Sequence, residues 1–180
     1  MSRWQVRVLH GPFLPRGQKT APFGVRMSFG RLGIPPKDKP WWAPFMKPYE
    51  ILEHTADIGI KAYGKTPQEL FINSARGMFD IIADTRRIRP KEQIEIKQEA
   101  QSYDELLRLW LQELLYQYSI SGVIFKEFSI QSLSPQAIKA IVRGERAPDK
   151  IKTEIKAVTY YELEFKKTKD GYKAKVIFDV

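Results

Sequence analysis

Residues 46–180 predict an α+β fold, a mixed or antiparallel sheet with two amphipathic helices packed on it, and three observations carry that prediction. Runs with a period of two open and close the stretch, at 49–53 and 172–180. Two segments with a helical period lie between them, each behind a helix-start signature, Thr66-Pro67-Gln68-Glu69 and Ser102-Tyr103-Asp104-Glu105. Beyond the second helix every run alternates as strands do, so the expected order is β-β-α-β-α-β-β-β-β.

Taken in order, Tyr49 to Glu53 alternates as a half-buried strand, and Ile58, Ile60 and Ala62 recur at every second residue up to a stop at Gly64. Asp57 falls in or beside the tight connection between them. Thr66 as N-cap, Pro67 in the first turn and Glu69 reaching back to the cap open a helix to about Ala83, with Phe71, Ala75, Met78 and Ile82 on its core stripe. The Asp84–Pro90 run breaks that helix, and 93–99 reads as a strand. The second helix, Leu106 to about Tyr118, leaves little polar face, so it is expected to be covered on more than one side; Gly122 supplies a left-handed stop. Residues 123–133 alternate with a phase change near Lys126-Glu127, the mark of a bulge. Ile138, Ala140 and Val142 form a strand ending at Gly144, and a long hairpin, 155–167 with 172–180, turns at Asp170-Gly171.

The net charge of +9 is unevenly placed. Residues 1–45 hold eight of the 30 Lys and Arg against one acid, Asp38, while 46–180 carry 22 bases and 20 acids. That first segment also contains seven of the twelve prolines, five of the eleven glycines and three of the four tryptophans, and no period survives in it. It reads as an irregular or disordered basic leader. It lacks the apolar core of a signal peptide. Because pattern and charge balance both begin at Met46, the expected natural start is Met46, with 1–45 an upstream in-frame extension; a leader bearing Trp41 and Trp42 would otherwise suit single-stranded RNA.

Cysteine is absent and there are two histidines, His10 and His54, which excludes disulfides, thiolate zinc sites, cysteine nucleophiles and multi-histidine metal clusters. No apolar run reaches the roughly 18 residues of a membrane span. The expected setting is cytoplasmic, without membrane. Any metal site must be built from oxygen.

The last strand directs Tyr172, Ala174, Val176, Phe178 and Val180 one way and Lys173, Lys175, Ile177 and Asp179 the other. Asp179 thus lies one residue from the α-carboxylate at Val180. If the Asp57 turn packs at the same end, three carboxylate groups converge into an oxygen-only site suited to Ca²⁺ or Mg²⁺. The plainer reading makes Asp57 an ordinary turn residue and leaves Asp179 solvated or paired with Lys173, Lys175 or Lys156. His54 reads as a hydrogen-bonded structural residue. Lys156, Tyr160 and Tyr161 read as a mixed strand face, or as a surface facing a partner. No phosphate-binding glycine loop, nucleophile elbow or metal-spaced His or Glu pair is present.

Four separated motifs resemble the archease family: Tyr49-Glu50-Ile51-Leu52-Glu53-His54-Thr55-Ala56-Asp57-Ile58-Gly59-Ile60-Lys61-Ala62-Tyr63-Gly64, Leu109-Trp110-Leu111-Gln112-Glu113-Leu114-Leu115-Tyr116, Lys156-Ala157-Val158-Thr159-Tyr160 and Phe178-Asp179-Val180. The resemblance spans 46–180. It implies a non-catalytic accessory protein that activates the GTP- and Mn²⁺-dependent tRNA-splicing RNA ligase of the RtcB type, promoting guanylylation of the ligase and multiple turnover in tRNA splicing and RNA repair. It implies a metal, calcium or another divalent cation, on Asp57, Asp179 and Val180, and a contact from Lys156 to the ligase. RNA would be met only indirectly and no small-molecule substrate is implied. An RNA chaperone working through the leader and a small metal-dependent hydrolase are the alternatives.

Overall fold

In the computed structural model, which describes residues 47–53 and 57–180, the chain runs β1 (Tyr49–Glu53), β2 (Ile58–Gly64), α1 (Pro67–Ile82), β3 (Glu92–Glu99), α2 (Tyr103–Ser121), β4 (Val123–Leu133), β5 (Ala137–Arg146), β6 (Ala157–Val158), β7 (Glu164–Thr168) and β8 (Gly171–Asp179). The basic leader, its proposed boundary near Met46 and His54 lie outside the described residues.

The α+β class and the antiparallel pairing are as predicted, but the single sheet is two. One sheet orders β1-β2-β8 and then places both β6 and β7 along the far side of β8. The other orders β3-β5-β4. Both helices touch both sheets: α1 lies on β1, β2 and β8 and also on β4, while α2 meets β3, β4 and β5 and also β6 and β7. Two sheets arise because each helix has an apolar face wide enough to need cover from more than one layer.

Helix α1 starts as its sequence requires. Thr66 accepts the Glu69 N–H at 3.1 Å, whereas the Glu69 carboxylate accepts the N–H of Lys65 at 2.8 Å, one residue before the cap. Leu70, Phe71, Ala75, Met78, Phe79 and Ile82 are all fully buried. At α2 the second box is half formed: Glu105 accepts the Gln101 N–H at 2.8 Å, but the Ser102 side chain makes no cap bond. The buried residues of α2 (Leu106, Leu107, Trp110, Leu111, Leu114 and Leu115) form two adjacent rows that meet α1 and both sheets, so the helix is covered on more than one side as expected, while Tyr116 stays exposed. The Trp110 indole N–H donates to the carbonyl of Phe71 at 3.3 Å and locks the two helices together. Gly122 ends α2 at φ 69°, with its N–H on the Tyr118 carbonyl at 2.8 Å.

Three boundaries differ from the sequence reading. The bulge near Lys126 is present, and a second register shift follows between Ile130 and Ser132. Strand β5 continues through Gly144 to Arg146. Gly144 is there for close approach: a Cβ would stand 2.2 Å from the carbonyl oxygen of Ile124. The predicted 155–167 strand is broken into β6 and β7, which pair with different stretches of β8, and the intervening loop carries Glu162 at φ 51°. The β7–β8 turn holds Lys169 and Asp170 between the Thr168–Gly171 pair, one residue earlier than predicted.

Candidate metal and docking site

Register builds the site. Strand β2 runs antiparallel to β8 with Ile58 opposite Phe178, and β6 pairs on the other side of β8 with Ala157 opposite Asp179 and Val158 opposite Phe178. Asp57 immediately precedes Ile58 and Asp179 immediately follows Phe178, so the two carboxylate residues flank one register pair at the same end of two neighbouring strands. Lys156, one residue before Ala157, reaches that end from the third strand. Asp57, Asp179, Val180 and Lys156, each singled out from sequence, are therefore brought to one edge of the five-stranded sheet.

Alternation makes this edge polar. Phe178 points into the core and is fully buried, which turns Asp179 outward to solvent; Asp57 and Val180 are half-buried. The Lys156 N–H donates to the main-chain oxygen of Asp179 at 2.8 Å, and its ammonium donates to the main-chain oxygen of Val180 at 3.0 Å. Lys175 is committed elsewhere, to Glu162. Among the described residues neither Asp57 nor Asp179 has a side-chain ion pair within 4.0 Å. The plain reading of Asp179 as paired with Lys173, Lys175 or Lys156 through its carboxylate is thus not what the structure shows.

The donor set is two carboxylates and a main-chain oxygen, hard ligands that fit Ca²⁺ or Mg²⁺ with water completing the shell. Among the described residues no three His, Asp or Glu side chains gather at a metal-binding distance.

Sequence reading missed what holds the third strand in place. Gln112 on α2 accepts the N–H of Val158 at 3.2 Å, and Arg108, one turn earlier, lies over the Tyr160 ring at 4.0 Å from its centre. The Thr159 hydroxyl donates to the Ile177 carbonyl at 3.0 Å. The available signal was the pair Arg108 and Gln112, polar residues four apart and so on one side of the same helix. Tyr160 and Tyr161 do not sit on the strand predicted for them; they project from the β6–β7 loop and are 64% and 66% exposed.

The sequence profile of the Archease protein family matches residues 49–180. The protein archease of Methanosarcina barkeri is 43% identical over 141 residues, covering 74% of this chain and 97% of that protein. That of Pyrococcus furiosus is 36% identical over 143 residues, covering 75% of this chain and all of the relative. The solution structure of Methanobacterium thermoautotrophicum protein 1598 superposes with a TM-score of 0.65 at 30% identity, over 75% of this chain and all of that one. The crystal structure of a Thermotoga maritima archease, described as a possible chaperone, gives a TM-score of 0.54 at 27% identity over 72% of this chain and 94% of the other.

Proposed function

Because the chain belongs to the archease family, we propose that it is a non-catalytic activator of the GTP-dependent tRNA-splicing RNA ligase of the RtcB type, and that the edge formed by Asp57, Asp179, Val180 and Lys156 is what it presents to the ligase. The supporting observation is that two carboxylate residues, neither with a side-chain ion pair among the described residues, meet one lysine at a single sheet end. Asp57, Asp179 and the Val180 oxygen would hold a divalent cation, calcium being the first choice, which when bound would offset the repulsion between the carboxylates and tie β2 to β8.

The chain's own residues do the rest. Packing of Phe178 and Ile58 sets the spacing of the two acids, and Gln112 and Thr159 fix β6 so that Lys156 stays over the chain end. Tyr160 and Tyr161 offer rigid, amphipathic contact area of the kind that anchors protein interfaces. This edge would dock at the ligase active site and favour its guanylylation.

Reconstitution tests the reading. Formation of ligase–GMP is followed with GTP and Mn²⁺, with and without this protein, and with the Asp57→Ala variant. Stimulation by the natural chain and its loss in the variant is the expected result. Full stimulation by a variant whose cation binding is abolished would remove the acidic edge from the mechanism.

A further inference from the structure

A second charged feature lies away from the sheet edge. An open cleft of about 460 Å³ between the α1–β3 connection and the end of β5 is lined by Arg86, Arg87, Arg89, Lys91, Lys150 and Glu145. Five bases surround one acid, in a domain whose bases and acids otherwise nearly balance. Among the described residues the lining contains no apolar or aromatic side chain.

The lysines are used internally. Lys91 pairs with Glu145 at 2.8 Å and Lys150 with the same carboxylate at 3.6 Å. Lys150 also donates to the Arg87 carbonyl at 3.1 Å, and Lys126 donates to the carbonyls of Arg86 and Ile88 at 3.3 and 2.9 Å. The Glu145 carboxylate takes the Arg89 N–H at 2.9 Å. These bonds pin the backbone of 86–89 from both sides and leave the three arginine side chains exposed. Arg86 shares Asp84 at 3.1 Å, while Arg87 and Arg89 have no side-chain partner among the described residues. A loop held this firmly loses little entropy when its forks engage a ligand.

We propose that this cleft binds the phosphodiester backbone of RNA, through the guanidinium forks of Arg86, Arg87 and Arg89 and without reading bases. Guanidinium matches a phosphate with two parallel hydrogen bonds. A protein partner would call for an apolar centre, which the lining lacks. Base recognition in a single strand would call for aromatic stacking, which it also lacks. Binding is therefore sequence-independent and salt-sensitive. The family resemblance implied that RNA is met only indirectly; folding adds Glu145 and Lys150 to the basic run 86–91 and makes it a cleft. Lys150 is six residues from Lys156, so the cleft lies within about 21 Å of chain length from the acidic edge.

Fluorescence anisotropy with the full 180-residue chain and a 5′-labelled 12-nucleotide oligouridylate, from 50 to 200 mM salt, tests this. The Arg87→Ala/Arg89→Ala double variant is expected to bind at least about tenfold more weakly at 50 mM salt and to flatten the log–log salt slope by about 1.4, two single-strand phosphate contacts. Arg87→Lys/Arg89→Lys is expected to restore most of the slope and only part of the affinity. A control that removes equal charge from the open face of the β3-β5-β4 sheet, Lys139→Ala/Arg143→Ala, should change binding less than threefold. Unchanged affinity and slope in the double alanine variant overturn the proposal, since any RNA binding then resides elsewhere, the leader included. An equal loss in the control overturns it as a local site. Equal affinity for an oligoglutamate of the same charge, lost in the same variant, overturns it in favour of an acidic peptide. The assay contains no ligase, so its failure leaves the activator reading untouched.

Discussion

The ammonium of Lys156 donates to the main-chain oxygen of Val180 at 3.0 Å, across the end of the strand that carries Asp179. A positive group therefore already occupies one oxygen of the proposed cation shell. Lys156 and a bound cation would compete for that oxygen, and they are expected to play separable parts.

Replacing Lys156 with methionine keeps the apolar stem and removes the charge. Cation affinity should stay the same or tighten by up to about fivefold, the size of an exposed charge–charge term of about 1 kcal/mol. Ligase guanylylation should fall sharply. Calorimetric titration with Ca²⁺ alongside the ligase–GMP assay checks both, and weakened cation binding would make Lys156 a support for the shell rather than a contact to the ligase.

Asp57→Asn and Asp179→Asn retain shape and remove one ligand charge each. Both should lose calcium binding by calorimetry. At a calcium concentration one hundred times the dissociation constant, the natural chain should gain about 2.7 kcal/mol of stability and either variant almost none. Equal thermal shifts in all three proteins would place the cation elsewhere.

Gly144→Ala should destabilise the fold by at least about 2 kcal/mol, because the added methyl meets the Ile124 carbonyl oxygen 2.2 Å away in backbone that cannot move without breaking the β4–β5 ladder. Urea denaturation should show a lower midpoint at unchanged slope. A neutral result would mean that the two strands separate at little cost there.

Glu145 is held down to about 2 from the ordinary 4.5, first by the Lys91 ammonium and then by the Arg89 N–H and the charge of Lys150. A carboxylate with a depressed value in the folded state adds stability that is fully present above 4.5 and is lost as the pH falls through about 2. The natural chain should therefore melt higher than Glu145→Gln at pH 6, and the gap should close towards pH 2. A gap that widens on acidification would contradict the sign.

Much of the fold was legible because local patterns agreed with global packing. Thr66 and Pro67 start α1, Gly122 stops α2, and the alternation of Tyr172 to Val180 orients β8, each from rules that operate within a few residues. The division into two sheets was not legible, since period-two runs say which residues face inward and not which strands pair. Gly144 misled for a related reason: glycine marks both an end and a close approach, and only the position of Ile124 separates the two.

The site divides the same way. Asp57, Asp179, Val180 and Lys156 are marked in the sequence as an acid at a tight bend, an acid and an end group closing a strand, and a base in a short motif. What brings them together is the pairing of Ile58 with Phe178 and of Ala157 with Asp179. The arginine cleft divides the same way: Arg86, Arg87, Arg89 and Lys91 already stand together in the chain, while Glu145 and Lys150, more than fifty residues on, join them only on folding. Residue chemistry is a local property and is written in the chain; proximity is settled by strand register and core packing, which exist only once the chain has folded.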